Sequence, residues 1–89
     1  MRPNPPTWRA DLDALEFTPA GHEGRCLVHR LAFRKFIAEP AAASCMSFFA
    51  EQSDSFQAAA SAKIERRKLD RSAHFHLTSR DIARQARRP

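Results

Sequence analysis

The chain has only two glycines, Gly21 and Gly24, among its 89 residues. Glycine-rich loops that bind nucleotide phosphates need several glycines at fixed spacing, and neither GxGxxG nor GxxxxGKS/T occurs. The GxSxG turn that presents the nucleophile of serine hydrolases is absent as well. These absences exclude the common nucleotide-binding and serine-hydrolase sites. The sequence predicts no catalytic residues and no cofactor, and therefore a protein that is not an enzyme.

Long apolar runs are also lacking. No stretch approaches the ~18 residues that a membrane-spanning helix requires, and the N-terminal sequence MRPNPPTWRADLD has no apolar core typical of a secretory signal. We therefore expect a cytoplasmic protein without membrane contact. The two cysteines, Cys26 and Cys45, fit neither a disulfide framework nor a zinc motif, so we expect reduced thiols.

Positive charge is concentrated in the last third of the chain. Residues 1–62 carry six basic and seven acidic side chains, whereas residues 63–89 carry nine basic and three acidic ones. Such asymmetry indicates either an anionic partner or, more simply, a solvated helix end with a basic tail. The candidate phosphate-binding residues are Lys63, Arg66, Arg67, Lys68, Arg71, Arg80, Arg84, Arg87 and Arg88.

Alternation of apolar and polar residues predicts three strands. The first contains Leu15 and Phe17, and the second contains Cys26 and Val28. The intervening sequence PAGHEG has the proline and glycines of a hairpin loop. The segment RSAHFHLT returns to a period of two and predicts the third strand.

Apolar spacing of three and four residues predicts helices between the second and third strands. LAFRKFIAE forms a short helical stripe that Pro40 ends. From Ser44 to Lys68 the pattern favours one unbroken helix, ~37 Å long, which exceeds the ~31 Å diameter expected for the domain. A break at residues 53–55, a projecting basic end or a covering second subunit would each resolve this overhang. Together with unpaired sheet edges, the overhang favours a homodimer.

The predicted fold is an α+β domain with two layers. A β-hairpin and a C-terminal strand form a small three-stranded sheet, with two main helices on one face, in the order β-β-α-α-β. A short C-terminal helix follows, with Ser79 as its N-cap and Asp81 in its first turn. The domain spans residues 8–82, anchored by Trp8, between a flexible proline-rich leader (residues 1–7) and a basic tail (residues 83–89).

Three segments of the chain resemble a small bacterial family known as domain of unknown function 1488. They read WRADLDALEFTPAGHEGRCLVHRLAF, SFFAEQSDSFQAAASAKIE and KLDRSAHFHLTSRDI. The shared landmarks are Trp8, Phe17, Thr18, Cys26, the apolar pair and later Phe of the long helix, and Asp81. The resemblance covers roughly residues 8–82 and implies a two-layer fold of two strands, two helices and a third strand. It implies no activity, substrate or catalytic residues, and the arginine-rich tail lies beyond it.

Three histidines are candidate metal ligands. His74 and His76 share one face of the third strand, and the parity of the second strand places His29 on the same outer side of the sheet. Three imidazoles suffice for a catalytic zinc site. However, no carboxylate is placed to orient the rings, so solvated strand histidines are the simpler interpretation, with no metal bound. Cys26 and His29 face opposite ways and cannot form a catalytic pair.

The cysteine Cys45 lies near a helix N-terminus, where the dipole can lower a thiol pKa. A packed helical cysteine is the simpler interpretation, and Cys26 is predicted to be a small core residue.

These observations predict a small bacterial protein that acts without catalysis, through protein–protein contact or as an accessory module. Its partner would be a second copy or an unidentified protein. The alternative is a nucleic-acid accessory protein that binds phosphates through the basic C-terminal third. A helix-turn-helix around Pro40 is rejected, because the second helix begins SCMSFFAEQSD and lacks a basic surface for base contacts.

Overall fold

The structure, a computed structural model, describes residues 5–86. Within this range the chain forms four strands, three α-helices and one 3-10 helix. In chain order these are β1 (Thr7–Arg9), β2 (Ala14–Phe17), β3 (Cys26–His29), the 3-10 helix (Arg30–Lys35), α1 (Ala42–Glu51), α2 (Ser53–Arg67), β4 (Phe75–Leu77) and α3 (Ser79–Ala86). The predicted α+β class is confirmed.

The four strands form one mixed sheet in the order β1-β2-β3-β4. The predicted hairpin is β2 with β3, which pair antiparallel with Leu15 opposite Val28 and Phe17 opposite Cys26. The C-terminal strand β4 lies parallel to β3, with Phe75 beside Cys26. The prediction of a three-stranded sheet was therefore wrong by one strand, β1.

Strand β1 is only three residues long and pairs antiparallel with β2, placing Trp8 opposite Leu15. Because prolines precede this strand, the sequence predicts a flexible leader up to residue 7. Thr7 nevertheless belongs to the sheet. Trp8 is partly buried and packs against the core, as expected of an anchor. The leader's first four residues lie outside the described range.

Alternate residues of the sheet build the core on one face. Leu15, Cys26 and Val28 are fully buried, whereas His29 on the opposite parity is exposed. Phe56 of α2 is fully buried at the centre of an aromatic cluster, with its ring centroid 4.8 Å from that of Phe49. Burial of large aromatic side chains supplies much of the stability of so small a domain.

The long helix predicted from Ser44 to Lys68 is wrong, because two helices meet at Gln52. This residue has φ −112° and ψ 26°, outside helical values, and separates α1 from α2. The following Ser-Asp-Ser sequence favours helix starts over helix interiors. Helix α2 is therefore about 22 Å long and fits within principal extents of 33 × 32 × 23 Å. The overhang disappears, and with it one of the two reasons for expecting a homodimer.

The last helix begins one residue earlier than predicted. Because α3 starts at Ser79, its N-cap is Thr78, and not Ser79. The helix continues to Ala86, so residues 83–86 of the predicted tail are helical. Within residues 5–86, no helix combines the length and apolar character needed to cross a membrane.

Candidate phosphate-binding groove

An open groove of about 530 Å³ lies between helices α2 and α3, and its lining side chains are charged or carry a hydroxyl group. Five of the lining residues are cationic and one is acidic. From α2 come Lys63, Arg66 and Arg67; from the start of α3 and its N-cap come Thr78, Ser79, Arg80, Asp81 and Arg84. We call this the α2–α3 groove.

Helical spacing explains why these cations face one groove. Residues three and four apart share a helix face, so Lys63 lies in line with Arg66 and Arg67. On α3, Arg80 and Arg84 are each two residues from Ile82, which is about 200° around the helix. Ile82 is 1 % exposed and fastens α3 to the core. Its burial turns the two arginines outward.

A carboxylate lies at the base of the groove and makes four polar contacts. Asp81 Oδ2 accepts from Lys63 Nζ at 2.9 Å, from the Thr78 N–H at 2.9 Å and from the Thr78 hydroxyl at 3.0 Å. Asp81 Oδ1 accepts from Arg66 Nη2 at 3.2 Å. The Asp81 N–H in turn donates to Thr78 Oγ1 at 3.2 Å, which completes a reciprocal cap of α3. Only 9 % of the Asp81 side chain is exposed.

These contacts keep Asp81 ionised. Burial by itself would raise the pKa of Asp81, but hydrogen bonds from the Thr78 N–H, from Lys63 and from the Thr78 hydroxyl outweigh it. The pKa of Asp81 falls from 3.8 to about 2. At neutral pH the groove thus has one negative charge that is already satisfied by its own protein.

Lys63 is held on two sides. Its ammonium group donates to Asp81 and, at 2.7 Å, to the backbone carbonyl of His76 in β4. Only 14 % of its side chain is exposed, compared with 43 % for Arg66. Lys63 therefore ties α2 to both β4 and α3.

The remaining arginines of the groove have no such partner. Arg67, Arg80 and Arg84 are exposed, and none forms an ion pair with a carboxylate in the part of the chain that the structure describes. Three unpaired guanidinium groups beside one groove are suited to bind phosphate oxygens.

Two other predicted phosphate-binding residues, Lys68 and Arg71, lie outside the groove. Lys68 ends α2 in a left-handed conformation, with φ 52°, and does not line the groove. Arg71 forms a long ion pair with Glu23, at 3.8 Å, in a different part of the surface. Arg87 and Arg88 lie outside the described residues. The structure thus brings five of the nine predicted residues together.

Two of the three histidines considered as metal ligands accept hydrogen bonds from the backbone. His29 Nδ1 accepts the Leu31 N–H at 3.1 Å and caps the 3-10 helix, and His74 Nδ1 accepts the Arg25 N–H at 2.9 Å. His76 is exposed on β4. Among residues 5–86, no three His, Cys, Asp or Glu side chains form a group that could hold a metal ion. The geometry gives the three-histidine zinc hypothesis no support.

Both thiols are buried in the core. Burial raises the pKa of Cys26 far above its usual value, and burial also raises that of Cys45. The alternative of an activated Cys45 thiol at a helix N-terminus is therefore wrong, and the interpretation of both residues as packed core cysteines is confirmed.

Sequence reasoning missed His22, which lies in a loop with the composition of a solvated turn. The residue is 8 % exposed, and its Nε2 donates to the Ala73 carbonyl at 2.8 Å. The rings of His22 and Phe75 form a T-shaped pair with their centroids 5.5 Å apart. Gly24 in the same loop leaves no room for a Cβ, because the backbone of Ala73 is in the way. His22 and Gly24 thus fasten the hairpin loop to the segment before β4.

Comparisons of the chain with models of protein families, with curated proteins and with solved structures find no match. The resemblance to the domain of unknown function 1488 family therefore stays a prediction.

Proposed function

We propose that the protein is a non-catalytic accessory module that binds the phosphate backbone of nucleic acid through the α2–α3 groove. The observation that carries this proposal is the convergence of five cations on one groove whose single carboxylate is already satisfied. Phosphate contacts by lysine and arginine supply most of the affinity of sequence-independent binding.

The lining favours a polymer backbone over a small organic ligand. Small-molecule sites are mostly apolar and enclosed, whereas every residue along this groove is charged or carries a hydroxyl group. Proteins that hold single strands add aromatic side chains on which bases stack, and none lines the groove. We therefore propose duplex nucleic acid as the ligand, bound without sequence preference.

Protein–protein contact, the first expectation from the sequence, stays a prediction, as does the homodimer. The strands β1 and β4 form the two edges of the sheet, and exposed strand edges are places where a second chain can pair. Light scattering at high protein concentration tests the homodimer, which a strictly monomeric mass would contradict.

Fluorescence anisotropy of a labelled duplex with the full chain tests the proposal. Each phosphate contact is worth on the order of tenfold in affinity at 0.1 M salt. We expect the double variant Arg80→Gln/Arg84→Gln to bind at least tenfold more weakly than the unaltered chain. The matched control is Arg34→Gln/Lys35→Gln, which removes the same charge from exposed positions outside the groove.

The result that would contradict the proposal is equal loss of affinity in both double variants, which would indicate attraction by net charge alone. Absence of any salt-sensitive binding by the unaltered chain would exclude it entirely. Binding of a single strand as tightly as the duplex would contradict the choice of ligand.

A further inference from the structure

We infer that the groove divides its charges by role, with Asp81 and Lys63 positioning the site and three arginines contacting phosphate. This inference rests on the proposed function and deepens it. The residues assigned to phosphate, which we call the outer arginines, are Arg67, Arg80 and Arg84.

Lys63 is assigned a structural role because its ammonium group is already engaged. Two of its three N–H groups donate, to Asp81 and to the His76 carbonyl, and its side chain is largely buried. A phosphate would have to displace a buried carboxylate in order to reach it, which costs the desolvation of that charge. The role of Arg66 is intermediate between that of Lys63 and that of the outer arginines, because Arg66 donates one hydrogen bond to Asp81 and its side chain is half exposed.

Asp81 is assigned a positioning role because it connects the two helices that form the groove. Its carboxylate contacts α2 through Lys63 and caps α3 through Thr78. The direction of α3 sets where Arg80 and Arg84 point. The carboxylate thus holds two of the outer arginines opposite the third, although its own charge repels phosphate.

The two possible roles of Asp81, opposing charge or positioning residue, predict opposite changes in the duplex affinity of Asp81→Asn. If Asp81 were only an opposing charge, Asp81→Asn would bind duplex more tightly, because a repulsive anion is removed. If Asp81 positions the arginines, the variant binds more weakly, by on the order of tenfold, which is the value of one contact. Tighter binding by Asp81→Asn overturns the inference.

Thr78→Val keeps every charge and removes the hydroxyl of the cap, so it tests the same role should Asp81→Asn fail to fold. We expect weaker binding with an unchanged salt dependence, because the number of phosphate contacts is the same while their positioning is poorer. Affinity equal to that of the unaltered chain would overturn the positioning role.

The salt dependence of binding separates contact residues from supporting ones. Anisotropy titrations of the full chain with a labelled duplex, between 50 and 200 mM salt, give the slope of log affinity against log salt. Loss of one phosphate contact lowers this slope by about 0.9. We expect that decrease for glutamine at each outer arginine and no decrease for Lys63→Gln, with Arg34→Gln as the control.

The outcomes distinguish the two proposals. If the unaltered chain does not bind duplex at 50 mM salt, both the proposed function and this inference fail. If it binds, but Lys63→Gln lowers the slope as much as an outer arginine does, the proposed function stands and the division of roles is overturned.

Discussion

Replacing Asp81 with asparagine removes one charge from the base of the α2–α3 groove while keeping the size of the side chain. All three residues that contact the carboxylate, Lys63, Arg66 and Thr78, present hydrogen-bond donors to it. Asparagine has one accepting end and one donating end. Part of this donor set therefore loses its acceptor, and the Lys63 ammonium loses its counter-charge.

The magnitude follows from the burial and the pKa of the carboxylate. Asp81 has a pKa of about 2 instead of 3.8, and this lowering corresponds to about 2 kcal/mol of stability at neutral pH. The unsatisfied donors add to the loss, so we expect Asp81→Asn to lower the free energy of unfolding by about 2–3 kcal/mol. For a domain of this size each kcal/mol shifts the melting temperature by about 4–8 °C. The expected decrease is therefore about 10–20 °C.

Low pH removes the same contribution from the unaltered protein. Because the folded-state pKa of Asp81 is depressed, its stabilisation is present above about pH 4 and is lost as the pH falls toward 2. Asparagine does not titrate. The difference in melting temperature between the two proteins is expected to be greatest at neutral pH and to narrow between pH 4 and pH 2.

Thermal unfolding followed by far-ultraviolet circular dichroism, at several pH values, measures this difference. Asp11→Asn is the control, since it makes the same chemical change in an exposed ion pair with Arg9, and such pairs contribute little. A difference between the unaltered protein and Asp81→Asn that stays constant down to pH 2 would refute the assigned role of the ionised carboxylate. A variant as stable as the unaltered protein at pH 7 would refute it as well.

Other positions give predictions from packing alone. Gly24→Ala is expected to destabilise the fold far more than Gly21→Ala in urea unfolding, because a Cβ at Gly24 overlaps the Ala73 backbone. Gly21 has open space around it, so alanine there adds only the backbone strain of its φ of 75°. Equal losses would contradict this. Phe56→Ala is expected to cost about 3–5 kcal/mol in the same assay, because its fully buried ring leaves a cavity, and a loss below 1 kcal/mol would mean that the core collapses around it. The two buried thiols are expected to resist a thiol reagent until denaturant is added; rapid labelling of the native protein would contradict their burial.

Local sequence signals predicted those elements whose pattern is complete within a few residues. Alternation identified β2 and β3, and the proline and glycines between them identified the hairpin. The apolar parity of Cys26 and Val28 correctly placed both in the core. Such signals can be recognised in the sequence because they depend only on the repeat with which side chains alternate along a strand or a helix. Strand β1 was missed because three residues after two prolines are too few to show a period.

The single helix from Ser44 to Lys68 shows where a correct local pattern leads to a wrong element. Its apolar spacing is helical on both sides of Gln52, and the conformation of this one residue separates α1 from α2. The domain is only about 33 Å across. Packing of both Phe49 and Phe56 into one small core is a tertiary requirement that no local window contains.

The sequence by itself determined that the C-terminal third is basic, that its cations fall at helical spacing, and that the glycine-rich phosphate-loop motifs do not occur in these 89 residues. Only the tertiary structure decided which cations share a groove. Lys63 and Asp81 are eighteen residues apart in the chain, and their pairing depends on β4 returning parallel to β3 and on Ile82 fastening α3 beside α2. The charges are given by the residue types, but a binding surface depends on the distances between the charged side chains. Packing between residues far apart in the chain sets those distances.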